Sequence, residues 1–251
     1  MEHGAGFSFG GEASTARRSS YAGGHDRNAE LFLHPGPHPA ARDRAAYPNA
    51  RVEIVGCAKL DTLPRKPERS VPPVVAVSFH WNCLVSEETR SAFIWAREHI
   101  VPLKRAGYTV IGHGHPRIWS RLEPWYRRKG IEPVRDFEEV CRRADIYVAD
   151  ATSTIYEFAA TGRPVVVLDP QFYRRDIDHG LRFWDAADVG LRVDEPYLIT
   201  RTVKKALEDA PEQVEAREKA LSMVYAFRTG AAFRAAGVLI DWTETRCATI
   251  S

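Results

Sequence analysis

Residues 145–169 constrain the fold more than any other segment of this chain. Residues 146–148 favour a β-strand, Ser153-Thr154 starts a helix that Gly162 ends, and the apolar run 165–168 forms a second buried strand. The turn before the helix therefore lies at the carboxyl end of a parallel strand. Open α/β sheets bind ligands there, and the unpaired amides and positive dipole end of a helix start favour an anion.

The same turn has a simpler explanation in helix capping. Thr154 and Glu157 fit an S/T-x-x-E capping box, in which each side chain satisfies a backbone amide at the helix start. However, Thr152, Ser153 and Thr154 offer three hydroxyls in a row, whereas a single cap is worth about 1 kcal/mol and needs only one. Capping and an anion site both remain open, and they are compatible with each other.

Composition excludes several classes of protein. The 251 residues are 44% apolar and 27% charged, which suits one large or two modest globular domains. The net charge of +2 is spread along the chain, so binding to duplex nucleic acid is not indicated. The four cysteines form no C-x-x-C pair, which argues against a zinc ribbon or disulfide scaffold and favours the cytoplasm. We expect neither a transmembrane segment nor a signal peptide.

Pattern and punctuation divide the chain into four parts. Residues 62–73 contain four prolines and suit a linker. Before it, region 1–61 offers only two predicted strands, at 30–33 and 52–55, and a helix at 39–46. Such a region is an incomplete amino-terminal α/β region, too small to be a whole domain.

After the linker, strands and helices alternate, which predicts a Rossmann-like, doubly wound parallel sheet over residues 74–199. The carboxyl-terminal part, 200–251, reads as mostly helical, with breaks at Pro211 and Gly230. The predicted strands lie at 74–79, 109–111, 133–134, 146–148 and 165–168, and the predicted helices at 88–105, 120–129, 137–143 and 154–161.

Three motifs resemble those of a known family. They are the Gly112-His113-Gly114-His115-Pro116 run after a strand, the segment 144–158 and Gly162-Arg163-Pro164. From Tyr108 onward the chain resembles the carboxyl-terminal, donor-binding domain of GT-B transferases, most closely the CDP-glycerol glycerophosphotransferase family. The second domain of UDP-sugar 2-epimerases shares the acidic, serine-rich turn and the Gly-x-Pro, so the resemblance supports the fold more than the chemistry.

His3 is the candidate catalytic base that the resemblance implies. The His3-Gly4 pair is similar to a dipeptide that the family carries at the end of its first domain, where the histidine acts on the acceptor hydroxyl. The strands that should precede it are absent, so the acceptor domain is truncated, supplied by a partner chain or second copy, or lost to a start site placed too far downstream. The alternative is that His3 is a frayed terminal residue.

His115 is the second catalytic candidate. A residue before proline at a strand end has a restricted backbone, which directs this imidazole into the crevice opposite Ser153. There it would stabilise a departing diphosphate. His113 shares its face in a regular strand, but no H-E-x-x-H or acidic cluster completes a metal site. We therefore expect no metal and no cofactor, as the family resemblance also implies.

Further donor-site candidates follow from the same resemblance and from positions at the strand ends. Arg174, Arg175 and Arg182 belong to a stretch similar to the loop that the family places over its donor, where guanidinium groups suit phosphate; the alternative is a solvated loop. Asp150 ends a strand facing the crevice or caps the next turn, and Glu157 reaches a ribose hydroxyl unless the capping box uses it. Trp81, after the first strand of this domain, stacks on a base or covers the core.

The hypothesis is a transferase that takes a nucleotide-diphosphate-activated donor, CDP-glycerol or a nucleotide sugar, and modifies an acceptor hydroxyl of a glycan, polymer or protein. Two alternatives stay open. One is an isomerase like the UDP-sugar 2-epimerases, and the other is a non-catalytic nucleotide-binding subunit of a split transferase. The expected location is the cytoplasm, with a peripheral position at the inner membrane face kept open.

Overall fold

The chain divides into two compact units. The computed structural model describes residues 29–64, 68–82, 90–173 and 187–250. Of these, 29–62 and 222–250 belong to the smaller unit, and the described residues between 63 and 221 belong to the larger one. The domain bounds drawn from the sequence stay a prediction. No helix of the described residues is both long and apolar enough to cross a membrane.

The smaller unit is built on a parallel strand pair in register from Leu31 opposite Arg51. Asp61 accepts the backbone N–H groups of Ala231 and Ala232, so it caps the last helix, and these amides hold its pKa below the usual range. Its elements are β1 (Leu31–His34), α1 (Pro37–Ala46), β2 (Arg51–Ile54), α2 (Ala58–Thr62) and α10 (Ala231–Ile250). The predicted strand–helix–strand order of this region is confirmed.

The larger unit is a six-stranded parallel sheet in the order β5-β4-β3-β6-β7-β8. Its strands are β3 (Val74–Phe79), β4 (Thr109–Gly114), β5 (Glu132–Pro133), β6 (Ile146–Ala149), β7 (Val165–Leu168) and β8 (Leu191–Val193). Its helices are α3 (Phe93–Ala96), α4 (Val101–Arg105), α5 (Trp119–Arg128), α6 (Phe137–Arg143), α7 (Thr154–Ala159) and α8 (Ile199–Ala206), and α9 (Pro211–Val224) follows. The predicted α/β class, with a doubly wound sheet and helical carboxyl terminus, is confirmed.

Two details of the prediction were wrong. The helix expected over 88–105 is interrupted, because a 3₁₀ turn at Arg97–His99 separates α3 from α4. Pro102 lies in the first turn of α4, where a backbone N–H would have no partner within the helix. A proline cannot donate the hydrogen bond that would continue an earlier helix through this position. β8 was not predicted, since it has only three residues and Arg192 divides its apolar pattern.

Strand order places the site. From β3 the chain builds outward to β4 and β5 on one side, and then returns to add β6, β7 and β8 on the other. β3 and β6 are therefore adjacent strands from which the connections diverge, and Val77 lies opposite Val148 between them. In open parallel sheets such a topological switch point forms a crevice at the carboxyl edge, where ligands bind.

Candidate functional site

The candidate site lies at the carboxyl edge of β4, β3 and β6. The strand register aligns Gly114 with Phe79 in β3, and Ser78 with Ala149 in β6. The residues that immediately follow these strands therefore leave the sheet at similar heights. They include His80, His115 and Asp150.

Asp150 holds the loops of this edge together. One carboxylate oxygen accepts the backbone N–H of His80 at 2.7 Å, and the other accepts that of Ala92 at 2.8 Å. Asp150 is fully buried, and burial raises its pKa to about 7 even though both amides favour the charged form. The predicted donor-site residue thus makes its bonds within the protein and positions the segments around the crevice.

His115 stands at the end of β4 with a defined ring orientation. Its backbone is extended, with φ −62° and ψ 138°, as the following proline favours. The ring Nδ1 accepts the backbone N–H of Arg117 at 3.2 Å, capping the 3₁₀ turn Pro116–Ile118. Because Nδ1 accepts, the neutral ring carries its proton on Nε2, which is a hydrogen-bond donor.

Aromatic rings surround His115. The His80 ring meets it edge-on, with centroids 5.2 Å apart, and the Trp81 ring lies 6.2 Å away. The guanidinium of exposed Arg117 lies 4.6 Å above the centroid of Trp81. Half-buried Trp81 also packs against the core, in line with core cover. Arg117 was not among the residues predicted from the sequence, although it directly follows the Gly-His-Gly-His-Pro motif.

The glycines of that motif are explained by packing. A Cβ on Gly112 would lie 2.5 Å from ring carbons of Tyr126, and one on Gly114 would lie 2.2 Å from Leu122 Cδ1. α5, which carries both side chains, can approach β4 only because these positions lack side chains. Since successive strand residues face opposite ways, His113 projects to the other side of the sheet.

His113 begins a line of polar side chains that we call the hydroxyl chain. Its Nδ1 lies 2.9 Å from Ser78 Oγ and 3.2 Å from the Tyr147 hydroxyl. Tyr147 in turn lies 2.9 Å from Thr154 Oγ1, and Thr154 lies 3.0 Å from Thr152 Oγ1. The first three residues are buried and the two threonines are half-buried. The hydroxyl chain thus runs from the sheet interior to the turn before α7.

The start of α7 differs from the predicted capping box. Ser153 is the residue before the helix, and its side chain makes no capping hydrogen bond. Thr154 is already the first helical residue, one position beyond the cap that the box requires, and its hydroxyl bonds to Tyr147 and Thr152. Glu157 is buried in the first turn. The hydroxyls are therefore not accounted for by capping alone.

The remaining predicted site residues cannot be placed in this site. His3, Arg174, Arg175 and Arg182 all lie outside the described residues. The residue just before the predicted donor loop, Tyr173, is buried and donates its hydroxyl to the carbonyl of Arg90 at 2.8 Å. In the described part of the chain, no three His, Cys, Asp or Glu side chains gather as a metal site. Independence from metal stays a prediction.

Comparison with known proteins gives a family and a fold. Residues 78–236 match the family described as CDP-Glycerol:Poly(glycerophosphate) glycerophosphotransferase. No curated protein matches the chain by sequence. Structures of the wall teichoic acid polymerase TagF are similar, one at TM-score 0.60 and 14% identity over 88% of this chain and 59% of TagF. A TagF variant with CDPG gives TM-score 0.58 and 13% identity over 87% and 58%.

These likenesses differ in what they establish. At such low identity the TagF structures show a shared GT-B fold, and this chain spans less than two thirds of TagF's length. The family match is more specific, because it takes in well over half of the chain, including every strand of the large sheet from the end of β3 onward. The chain belongs to the CDP-Glycerol:Poly(glycerophosphate) glycerophosphotransferase family.

Proposed function

We propose that this chain is the donor-binding half of a transferase that uses a nucleotide-diphosphate-activated donor, CDP-glycerol in the first instance. The observation that carries the proposal is the family match from residue 78 to 236, because it contains the groups that the structure gathers at the switch point. These groups are His115, the Thr152–Thr154 turn and the loops held by Asp150.

The chemistry follows from the donor. An acceptor hydroxyl attacks the phosphorus next to glycerol, the bond from that phosphorus to the bridging oxygen breaks, and CMP leaves with the electron pair. The Nε2 proton of His115 suits the charge that develops on the leaving phosphate, and the Thr152 hydroxyl suits a phosphate oxygen. His3 would take the acceptor's proton, as the family resemblance implies.

The acceptor side is also part of the proposal. The described smaller unit contains a two-stranded parallel sheet on which α1 packs. We infer that a second copy, a partner chain or further sequence of the same protein supplies the acceptor side, as the family resemblance implies. This proposal includes the alternative that the chain is a non-catalytic nucleotide-binding subunit of a split transferase.

Calorimetric titration with CDP, UDP, GDP and ADP tests the donor site. We expect CDP to bind most tightly, and Ser153→Ala/Thr154→Ala to weaken it about five- to tenfold, the worth of one or two hydrogen bonds. Thr161→Ala is the matched control, since its hydroxyl donates to the Phe158 carbonyl at the opposite end of α7. Equal affinity of the wild type and the double variant for CDP would refute this donor site.

Product analysis separates transferase from isomerase. With CDP-glycerol, a transferase releases CMP in proportion to added hydroxyl acceptor. An isomerase like the 2-epimerases consumes a UDP-sugar without any acceptor. If the chain alone consumes a UDP-sugar, the transferase proposal is refuted in favour of the isomerase.

A further inference from the structure

The hydroxyl chain has a fixed number of protons to distribute. Tyr147, Thr154 and Thr152 each carry one hydroxyl proton, and each contact between them uses one. Complete burial raises the pKa of Tyr147 well above its ordinary value, so this phenol keeps its proton throughout the working pH range. When each contact from His113 to Thr152 carries one proton, the line points either inward or outward.

In the inward direction, each hydroxyl donates toward the sheet interior and Tyr147 donates to a lone pair on His113 Nδ1. Thr152 then offers only lone pairs to the crevice. In the outward direction, His113 Nδ1–H donates to Tyr147, which donates to Thr154, which donates to Thr152. Thr152 is then left with a proton to donate to a ligand.

We propose that His113 is a positioning residue for the donor site: an N–H at its Nδ1 turns the hydroxyl chain outward, so that Thr152 donates to an anionic oxygen of the bound nucleotide. This inference rests on the proposed donor site. It concerns a buried side chain that does not touch the ligand and is three hydrogen bonds away from Thr152.

Binding and ring state are coupled in both directions. An anion beside Thr152 favours the outward direction, and so it favours a proton on His113 Nδ1. By linkage, a proton on Nδ1 favours the anion by the same factor. Ser78 Oγ lies 2.9 Å from Nδ1 and also bonds to the Tyr147 hydroxyl, and it accommodates either state because a hydroxyl can donate or accept.

A double-mutant cycle on CDP affinity tests the coupling. Tyr147→Phe cuts the hydroxyl chain and keeps the ring, while His113→Leu removes its origin. We expect each to weaken CDP binding about five- to tenfold, and the double variant to be no weaker than either single one. His113→Asn should recover most of the affinity lost in His113→Leu, because the amide NH₂ can take the place of Nδ1–H.

Two results would overturn the inference. If the losses multiply in the double variant, the two residues act separately, and if His113→Leu binds CDP as tightly as the wild type, His113 has no role in the site. Both results require that the wild type binds CDP. A wild type that binds no nucleotide instead refutes the proposed function, and this inference with it.

Imidazole ¹⁵N shifts give a readout on the wild-type protein itself. In the wild-type protein, with the His113 signals assigned by their loss in His113→Asn, adding CDP should move Nδ1 toward its protonated shift. A His113 spectrum unchanged by saturating CDP contradicts the proposal.

Discussion

The carboxylate of Asp150 accepts the backbone N–H of His80 at 2.7 Å. This bond joins the end of β6 to the end of β3, the two strands that flank the switch point. A buried group thus sets the distance between two loops that would otherwise be positioned only by their strands. Its proton affinity should therefore be visible in the stability of the protein.

Stability should depend on pH through Asp150. Burial raises its folded pKa to about 7, whereas an aspartate in an unfolded chain has a pKa of about 3.9. Between these two pKa values the folded state binds a proton that the unfolded state has lost. The contribution of Asp150 to the free energy of unfolding therefore falls as pH rises. From pH 5 to 7, the wild type should lose stability relative to Asp150→Asn by up to about 1.4 kcal/mol per pH unit.

Urea unfolding at pH 5, 6 and 7 measures this difference. Asp136→Asn is the matched control, because it lies at the exposed start of α6, where asparagine caps as well as aspartate. Stability curves of wild type and Asp150→Asn that stay parallel would show that Asp150 does not hold its proton in the folded state.

Adding a methyl group to the glycines of β4 should destabilise the larger unit. Gly114→Ala places its Cβ 2.2 Å from Leu122 Cδ1, and Gly112→Ala places its Cβ against the Tyr126 ring. Overpacking of this kind costs about 1–3 kcal/mol. Gly237→Ala, whose Cβ meets nothing within 4 Å in helix α10, should instead gain about 0.5–1 kcal/mol.

Thermal unfolding of the three glycine variants makes the comparison. If the clash is the cause, Leu122→Ala should cost less in the Gly114→Ala background than in the wild type. If the stability losses of Leu122→Ala and Gly114→Ala add up in the double variant, the strand itself, and not its contact with α5, is sensitive to the added methyl group.

His115→Asn should separate the capping role of this residue from its chemistry. The asparagine oxygen can accept the Arg117 N–H as Nδ1 does, so the fold should be retained, but no Nε2 proton remains. We expect CMP release from CDP-glycerol to fall about 10²- to 10⁴-fold with little change in unfolding temperature. His115→Ala should lose both; turnover near the wild-type rate in the asparagine variant would remove His115 from the catalytic role.

The ion pair of buried Arg217 with partly exposed Asp209 should be costly to break. Arg217 is 3% exposed, and its Nη1 lies 2.7 Å from Asp209 Oδ1. Asp209→Asn keeps a residue that tolerates the positive φ of 48°, but leaves the guanidinium without its counter-charge. We expect a loss of about 2–3 kcal/mol, partly restored by adding Arg217→Met. Urea unfolding measures the stability of the single and double variants. If the losses of the two substitutions add up in the double variant, the pairing is contradicted.

The alternation of apolar strands and helices was enough to predict the sheet, because strands such as β7 are buried on both faces and have continuous apolar sequences. Short or mixed elements such as β8 have no such pattern. The positions of Ser153 and His115 followed from strand ends. The role of Asp150 in holding the loops could not be predicted from strand ends. It depends on the amides of His80 and Ala92, which are 70 and 58 residues away in sequence.

The two sides of β4 differ in what they can accommodate. On the side of α5, Gly112 and Gly114 leave no volume to spare, so that side tolerates no exchange of residues without moving a helix. On the other side, the His113 ring bonds to Ser78 and Tyr147 and lies beside the Phe137 ring. Redesign of β4 can therefore change polar contacts at position 113, whereas positions 112 and 114 admit no side chain while α5 stays in place.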